Sequence, residues 1–161
     1  MGGWHKFDHI GILIKDENLE KAMEFYKKLF GFDLPKTGPY KKIVEYDGRR
    51  YSLISSKGTG EEETFLEFLP SKDNYALNML KGEGAIVELC ITVDDVEEWF
   101  DKVKEMGLTP INPHTGKPLE KKGEIVTGAV TKSRFFYLHP SETFGTLLEI
   151  LERPGQPYRK R

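Results

Sequence analysis

Apolar and polar positions along the 161-residue chain follow two periodicities, and the switches between them outline its elements. From Phe7 to Ile14, "FDHIGILI" alternates with period two: Ile10, Ile12 and Ile14 take one face and His9, Gly11 and Leu13 the other, which predicts a strand. In "KDENLEKAMEFYKKLFGF" the recurrence of Leu19, Met23, Tyr26 and Phe30 is helical, with Asp16 or Asn18 as the cap and Gly31 as the stop. "KKIVEY" and "RRYSLISS" flank Asp47-Gly48, a two-residue hairpin signal, and the strand "TFLEFLP" follows the Gly-rich "KGTGEEE". The first half therefore reads β-α-β-β-β.

The second half repeats this order. "AIVELCITV" sets Ile86, Leu89, Ile91 and Val93, mostly on one parity, against Glu88, Cys90 and Thr92, and "DDVEEWFDKVKEMGL" predicts a helix. Asp95 and Glu98 have capping-box spacing, Val96, Trp99, Phe100 and Val103 form the stripe, and Gly107 marks the end. The irregular stretch from Pro110 to about Lys122 is long enough to suggest a lid. "EIVTGAV", "RFFYL" and "TLLEILE" then supply strands, with turn chemistry in "HPSETFG".

Superposing the halves sets His9 against Glu88 and Glu67 against Glu149, the members of each half being separated by 58 and 61 positions. Each of these four residues lies on the strand face opposite the one that alternation assigns to the helix. If the two sheets curl toward each other, the four line one cup. A buried cluster of three carboxylates is unfavourable by itself, and a divalent cation resolves it. One imidazole with three carboxylates is a hard, oxygen-rich set, suited to Mn²⁺, Fe²⁺, Co²⁺, Ni²⁺, Mg²⁺ or Zn²⁺. A single strand His or Glu is more often structural or solvent-facing, so the repeat carries the inference. His139, before Pro140, suits a turn or hydrogen-bonding role, and His5 and His114 fall outside patterned segments.

Composition narrows the function classes. A net charge of −2 and a pI near 6.1 give no general attraction to nucleic acid or anionic membrane. The one basic cluster, "YRKR" at 158–161, reads as a solvated end. No apolar run approaches a membrane span and "MGGWHKFDHI" lacks a signal-peptide stretch, so a cytoplasmic location is expected. One cysteine, Cys90, excludes an internal disulfide and reads as a small strand residue. Abundant Lys and Glu hint at a thermophilic source.

The marks "DHIGI", "FYKKLFGF", "FLEFLP", "CITVDDVEE" and "FYLHPSETFGTLLEILE" together resemble the vicinal oxygen chelate superfamily, from one end of the pattern to the other. Among its members the chain is most similar to methylmalonyl-CoA epimerases and glyoxalase I (lactoylglutathione lyase). The resemblance implies an α+β, glyoxalase-like fold: two tandem βαβββ modules forming a curled mixed sheet around a metal-binding cup. Residues 1–161 would then be one domain, with modules at 6–70 and 84–152 and a basic tail at 153–161. The ligand positions of such enzymes fall on His9, Glu67, Glu88 and Glu149. The third is usually His, where this chain has Glu88; the second is commonly Glu in glyoxalase I and Gln in the epimerases, where this chain has Glu67.

What the resemblance implies is a metal-dependent isomerase or lyase that removes a proton beside the carbonyl of a small thioester or 2-oxoaldehyde adduct. Glu149 is the first candidate base and Glu67 or Glu88 the second, with Glu45 a partner acid by analogy to the epimerases. The alternative is a small-molecule binding protein of the same fold, as in antibiotic resistance, and a third reading is an interaction subunit with a vestigial site. Lys121, Lys122, Lys132, Arg134, Arg49 and Arg50 are candidates for gripping a phosphate or carboxylate, against the plainer reading of a solvated charged surface. A homodimer is expected.

Overall fold

The computed structural model describes residues 3–36, 38–55, 64–70 and 85–154. "KGTGEEE" and "YRKR" lie outside the described residues. The chain divides into two compact units, one of Asp8–Val87 and one joining Met1–Phe7 to Glu88–Arg161.

In the first unit the predicted order appears as β1 (Trp4–Ile14, entering the unit at Asp8), α1 (Leu19–Phe30), β2 (Val44–Tyr46), β3 (Arg49–Ile54) and β4 (Phe65–Pro70). β4 lies between β1, which is parallel to it, and β3, which is antiparallel, and β2 adds to the far side of β3. Asp47 and Gly48 join β2 to β3 with φ of 52° and 66°, the left-handed pair that a tight hairpin turn requires. The face of Ile12, Ile14, Ile54 and Phe68 carries α1 through Leu19, Met23 and Tyr26, as the alternation predicts. On the other face Leu13 meets Leu69, Val87 and Tyr51.

The start of α1 differs from expectation. Asp16–Asn18 form a 3-10 turn that runs straight into the helix, so Asn18 has helical dihedrals and makes no side-chain capping bond, while Asp16 turns to Arg50. Gly31 ends the helix as expected, with φ of 72°. β2 is shorter than "KKIVEY" because Pro39–Lys41 form another 3-10 turn.

The second unit contains β5 (Ile86–Val93, entering the unit at Glu88), α2 (Val96–Glu105), β6 (Pro110–Ile111), β7 (Val126–Thr127), β8 (Arg134–Leu138) and β9 (Leu147–Glu152). β9 lies between parallel β5 and antiparallel β8, and β6 and β7 both pair with β8. Asp95 caps α2, its carboxylate accepting from the backbone N–H groups of Glu97 and Glu98. The other end closes with Gly107 N–H on the Lys104 carbonyl and Leu108 N–H on that of Val103, the paired bonds of a left-handed glycine cap. Val96, Phe100 and Val103 pack on Val93, Phe136, Leu138 and Ile150.

The lid expected at Pro110–Lys122 is not what forms. Ile111 bridges to Pro118, and Asn112 closes the turn between them by accepting from the backbone N–H groups of His114 and Thr115. Leu119 is buried in the α2 core together with Ile125 and donates its N–H to Pro110. A segment with buried side chains at Ile111 and Leu119 is part of the scaffold, and the sparse apolar pattern hid it because its aliphatic anchors are eight residues apart. "EIVTGAV" likewise yields only two strand residues, since Gly128 begins a turn in which Lys132 has φ of 59°.

Candidate functional site

The two units place their candidate residues by the same register. In the first, Gly11 is the partner of Glu67 across β1 and β4, so His9 lies two residues before the residue opposite Glu67. In the second, Cys90 is the partner of Glu149 across β5 and β9, and Glu88 lies two residues before it. Parallel partners share a face. His9 with Glu67, and Glu88 with Glu149, therefore each occupy the face turned away from their helix, as alternation predicts. All four are buried.

Within the first unit, His9 Nε2 lies 2.8 Å from Glu67 Oε2 and His9 Nδ1 lies 3.0 Å from Asp8 Oδ2. Asp8 is 1% exposed. An imidazole that gives its Nδ1 hydrogen to a carboxylate presents Nε2 outward, the arrangement by which histidine ligands are oriented toward metals. The 2.8 Å spacing also fits. Two donors about 2.1 Å from one octahedral ion and at right angles to each other sit about 3.0 Å apart. His9 and Glu67 thus suit a divalent cation in both donor chemistry and separation.

Within the second unit, Tyr137 OH donates to Glu88 Oε2 at 2.9 Å. Tyr137 is also the cross-strand partner of Glu149 on β8. Cys90 is fully buried between them in sequence register, in keeping with a strand residue. The row of Glu88, Cys90 and Thr92 is more deeply buried than Leu89 and Ile91 on the helix side of the same strand. The polar row is thus an interior feature.

Asp8 and Tyr137 escaped the sequence reading. Asp8 should point to the opposite face from His9, but its side chain reaches back to the ring. Tyr137 was hidden in the aromatic run "RFFYL", although period two separates it from Phe136 and Leu138, which face α2.

Glu45 falls elsewhere. The tight hairpin pairs it with Arg50, and directly paired residues share a face, so Glu45 lies on the α1 side, exposed, with Glu67 on the other. The candidate cationic grip also disperses. Arg50 binds Glu20 and Asp16, Arg134 binds Glu97, and Lys122 lies 2.6 Å from Asp101. These are surface ion pairs that tie strands and loops to the helices. Burial pushes the Tyr51 phenol up, partly opposed by its hydrogen bond from Arg49. His139 Nδ1 accepts from the Ser141 backbone N–H in the turn before β9, the structural role expected of it.

The profile of the Glyoxalase/Bleomycin resistance protein/Dioxygenase superfamily matches residues 6–150, and the chain belongs to that family. Its fold is the α+β glyoxalase type, built from two modules of one topology. A methylmalonyl-CoA epimerase from Mycobacterium tuberculosis is similar over 91% of this chain and 87% of its own, at 23% identity and a TM-score of 0.66. A variant of the Streptomyces coelicolor epimerase in complex with 2-nitronate-propionyl-CoA is similar over 95% and 97%, at 23% identity and a TM-score of 0.67. A hypothetical protein from Bacillus halodurans reaches 26% identity and a TM-score of 0.69 over 96% and 98%. No curated protein sequence matches the chain. Among the described residues, no helix is long and apolar enough to cross a membrane.

Proposed function

We propose that this protein is a metal-dependent isomerase or lyase that removes a proton next to the carbonyl of a small thioester or 2-oxoaldehyde adduct, in the manner of methylmalonyl-CoA epimerase or lactoylglutathione lyase. In this reading His9, Glu67, Glu88 and Glu149 hold one divalent ion, of Mn, Fe, Co, Ni, Mg or Zn. The observation that carries it is the 2.8 Å approach of His9 Nε2 to Glu67 Oε2, repeated in register by Glu88 and Glu149 on the other module. The bound ion would supply positive charge to the carbonyl oxygen as its neighbouring C–H bond breaks.

The chain's own groups do the rest. Asp8 keeps the Nδ1 hydrogen of His9, so that Nε2 remains a donor site. Glu149 takes the proton: the C–H bond breaks, its electron pair moves toward the carbonyl, and the carboxylate becomes a carboxylic acid. Returning that proton to a neighbouring atom gives isomerisation, and in epimerisation a second carboxyl group, Glu67 starting in its protonated form, supplies the new proton. Burial of both carboxylates confines their exchange with bulk water to the interval between turnovers.

The test follows deuterium from solvent into methylmalonyl-CoA, and thioester formation from the methylglyoxal–glutathione hemithioacetal, for the wild type and Glu149→Gln. The expected result is turnover of one substrate by the wild type and a loss of about 10²- to 10⁴-fold in the variant, with an unchanged circular dichroism spectrum. Undiminished turnover by Glu149→Gln would remove its role as base. Tight substrate binding without exchange or product would make the protein a binding module.

A further inference from the structure

The third ligand position carries an acidic residue whose role, ligand or base, the family pattern leaves open. The geometry points to Tyr137 as a positioning residue that holds Glu88 as a metal ligand. This inference rests on the metal reading above and assigns roles within that site.

Three observations support it. Tyr137 OH donates to Glu88 Oε2 at 2.9 Å, a normal distance for a phenol on a carboxylate. Tyr137 stands on β8 and Glu88 on β5, with β9 between them, so the phenol reaches across the strand that carries Glu149. Glu88 is 1% exposed, and a hydrogen bond from a donor on another strand restrains the orientation of a buried carboxylate. A carboxylate held in this way would meet a cation without first reorienting.

The first module reaches the same end by other means. His9 occupies the matching strand position, and its Nδ1 is held by Asp8. Each first-strand candidate thus has a polar partner, buried in the case of Asp8 and half-buried in that of Tyr137, the kind of outer contact whose loss weakens metal binding about 10- to 100-fold. The partners are unrelated in sequence position because the side chains they orient differ: an N–H needs an acceptor, while a carboxylate oxygen needs a donor.

The experiment is calorimetric titration of the chelator-stripped full chain with Co²⁺, with the visible absorption of bound Co²⁺ as a second readout. Tyr137→Phe, which keeps the ring, should weaken Co²⁺ binding about 10- to 100-fold and alter the absorption band. In a Glu88→Ala background the same change should shift affinity by less than about twofold, because a positioning residue acts only through the residue it positions. Glu88→Gln should weaken Co²⁺ at least as much as Tyr137→Phe. Wild-type affinity in a folded Tyr137→Phe, an equal loss in the Glu88→Ala background, or a Glu88→Gln effect smaller than that of Tyr137→Phe would each overturn the assignment alone. A wild-type protein that takes up no Co²⁺ would overturn the metal reading with it.

Discussion

Where β3 pairs with β4 in the first module, Ser52 lies beside Phe68; at the matching place in the second, Phe136 on β8 lies beside Ile150 on β9. One large ring fills each site, but it comes from opposite strands. In both cases it meets an aromatic residue of the helix, Tyr26 on Phe68 and Phe100 on Phe136, with ring centroids 5.7 Å apart. What the repeat preserves is the volume under the helix and the ring contact, and the residue that supplies them is free to change. A second correspondence is kept residue by residue. Arg50 on β3 binds Glu20, the second residue of α1, and Arg134 on β8 binds Glu97, the second residue of α2. Both clamps join the strand beside the last one to the start of the helix.

The largest effect that can break this comparison is at the matched core position. Phe136→Ala should lower the unfolding free energy by about 3–5 kcal/mol in urea denaturation, through lost transfer energy and the cavity left behind. Ser52→Ala should do the reverse. The Ser52 hydroxyl is fully buried and has no hydrogen-bond partner in the structure, so its removal is expected to stabilise by up to about 1 kcal/mol. Equal destabilisation by the two substitutions would refute the complementary-volume account.

The helix starts give a smaller contrast. Asp95→Ala removes the cap that accepts from two backbone N–H groups and should cost about 1 kcal/mol in the same assay. In the first module, where a 3-10 turn leads into α1, no such side-chain cap is present to lose. A cost near zero for Asp95→Ala would show that α2 depends on its buried stripe alone.

The smallest effect concerns the ion-pair clamps. The hydrogen bond from Arg50 holds the Glu20 carboxyl below its usual 4.5. A lowered carboxyl contributes stability above pH 4.5 and loses it as pH falls through the folded value. The pair is largely exposed, so Glu20→Gln should cost under about 1 kcal/mol at pH 7 and less as the pH drops below 4.5. A penalty that grew on acidification would contradict that sign.

Much of this was legible in the chain. The alternation in "FDHIGILI" and "TFLEFLP" separates His9 and Glu67 from the residues that meet α1, and "VELCITV" and "TLLEILE" do the same for Glu88 and Glu149. The Asp47-Gly48 turn and the Asp95 cap were equally clear, because each depends on dihedrals or hydrogen bonds made within a few residues. The face on which Glu45 lies was not legible, because it follows from hairpin register, which a list of candidate acids does not contain. The buried anchors of 110–125 were missed because Ile111, Leu119 and Ile125 are too widely spaced to form a period.

By itself, then, the sequence determined the two modules, their element order and the faces on which the four candidate ligands lie, since these follow from periodicities of two and 3.6 and from local turn chemistry. Only the tertiary structure decided the contacts that orient those ligands. Asp8 reaches His9 against the alternation, and Tyr137 finds Glu88 across an intervening strand, 49 residues away along the chain. Such contacts depend on strand order and rotamer choice, which pairing and packing settle after the local pattern has been spent.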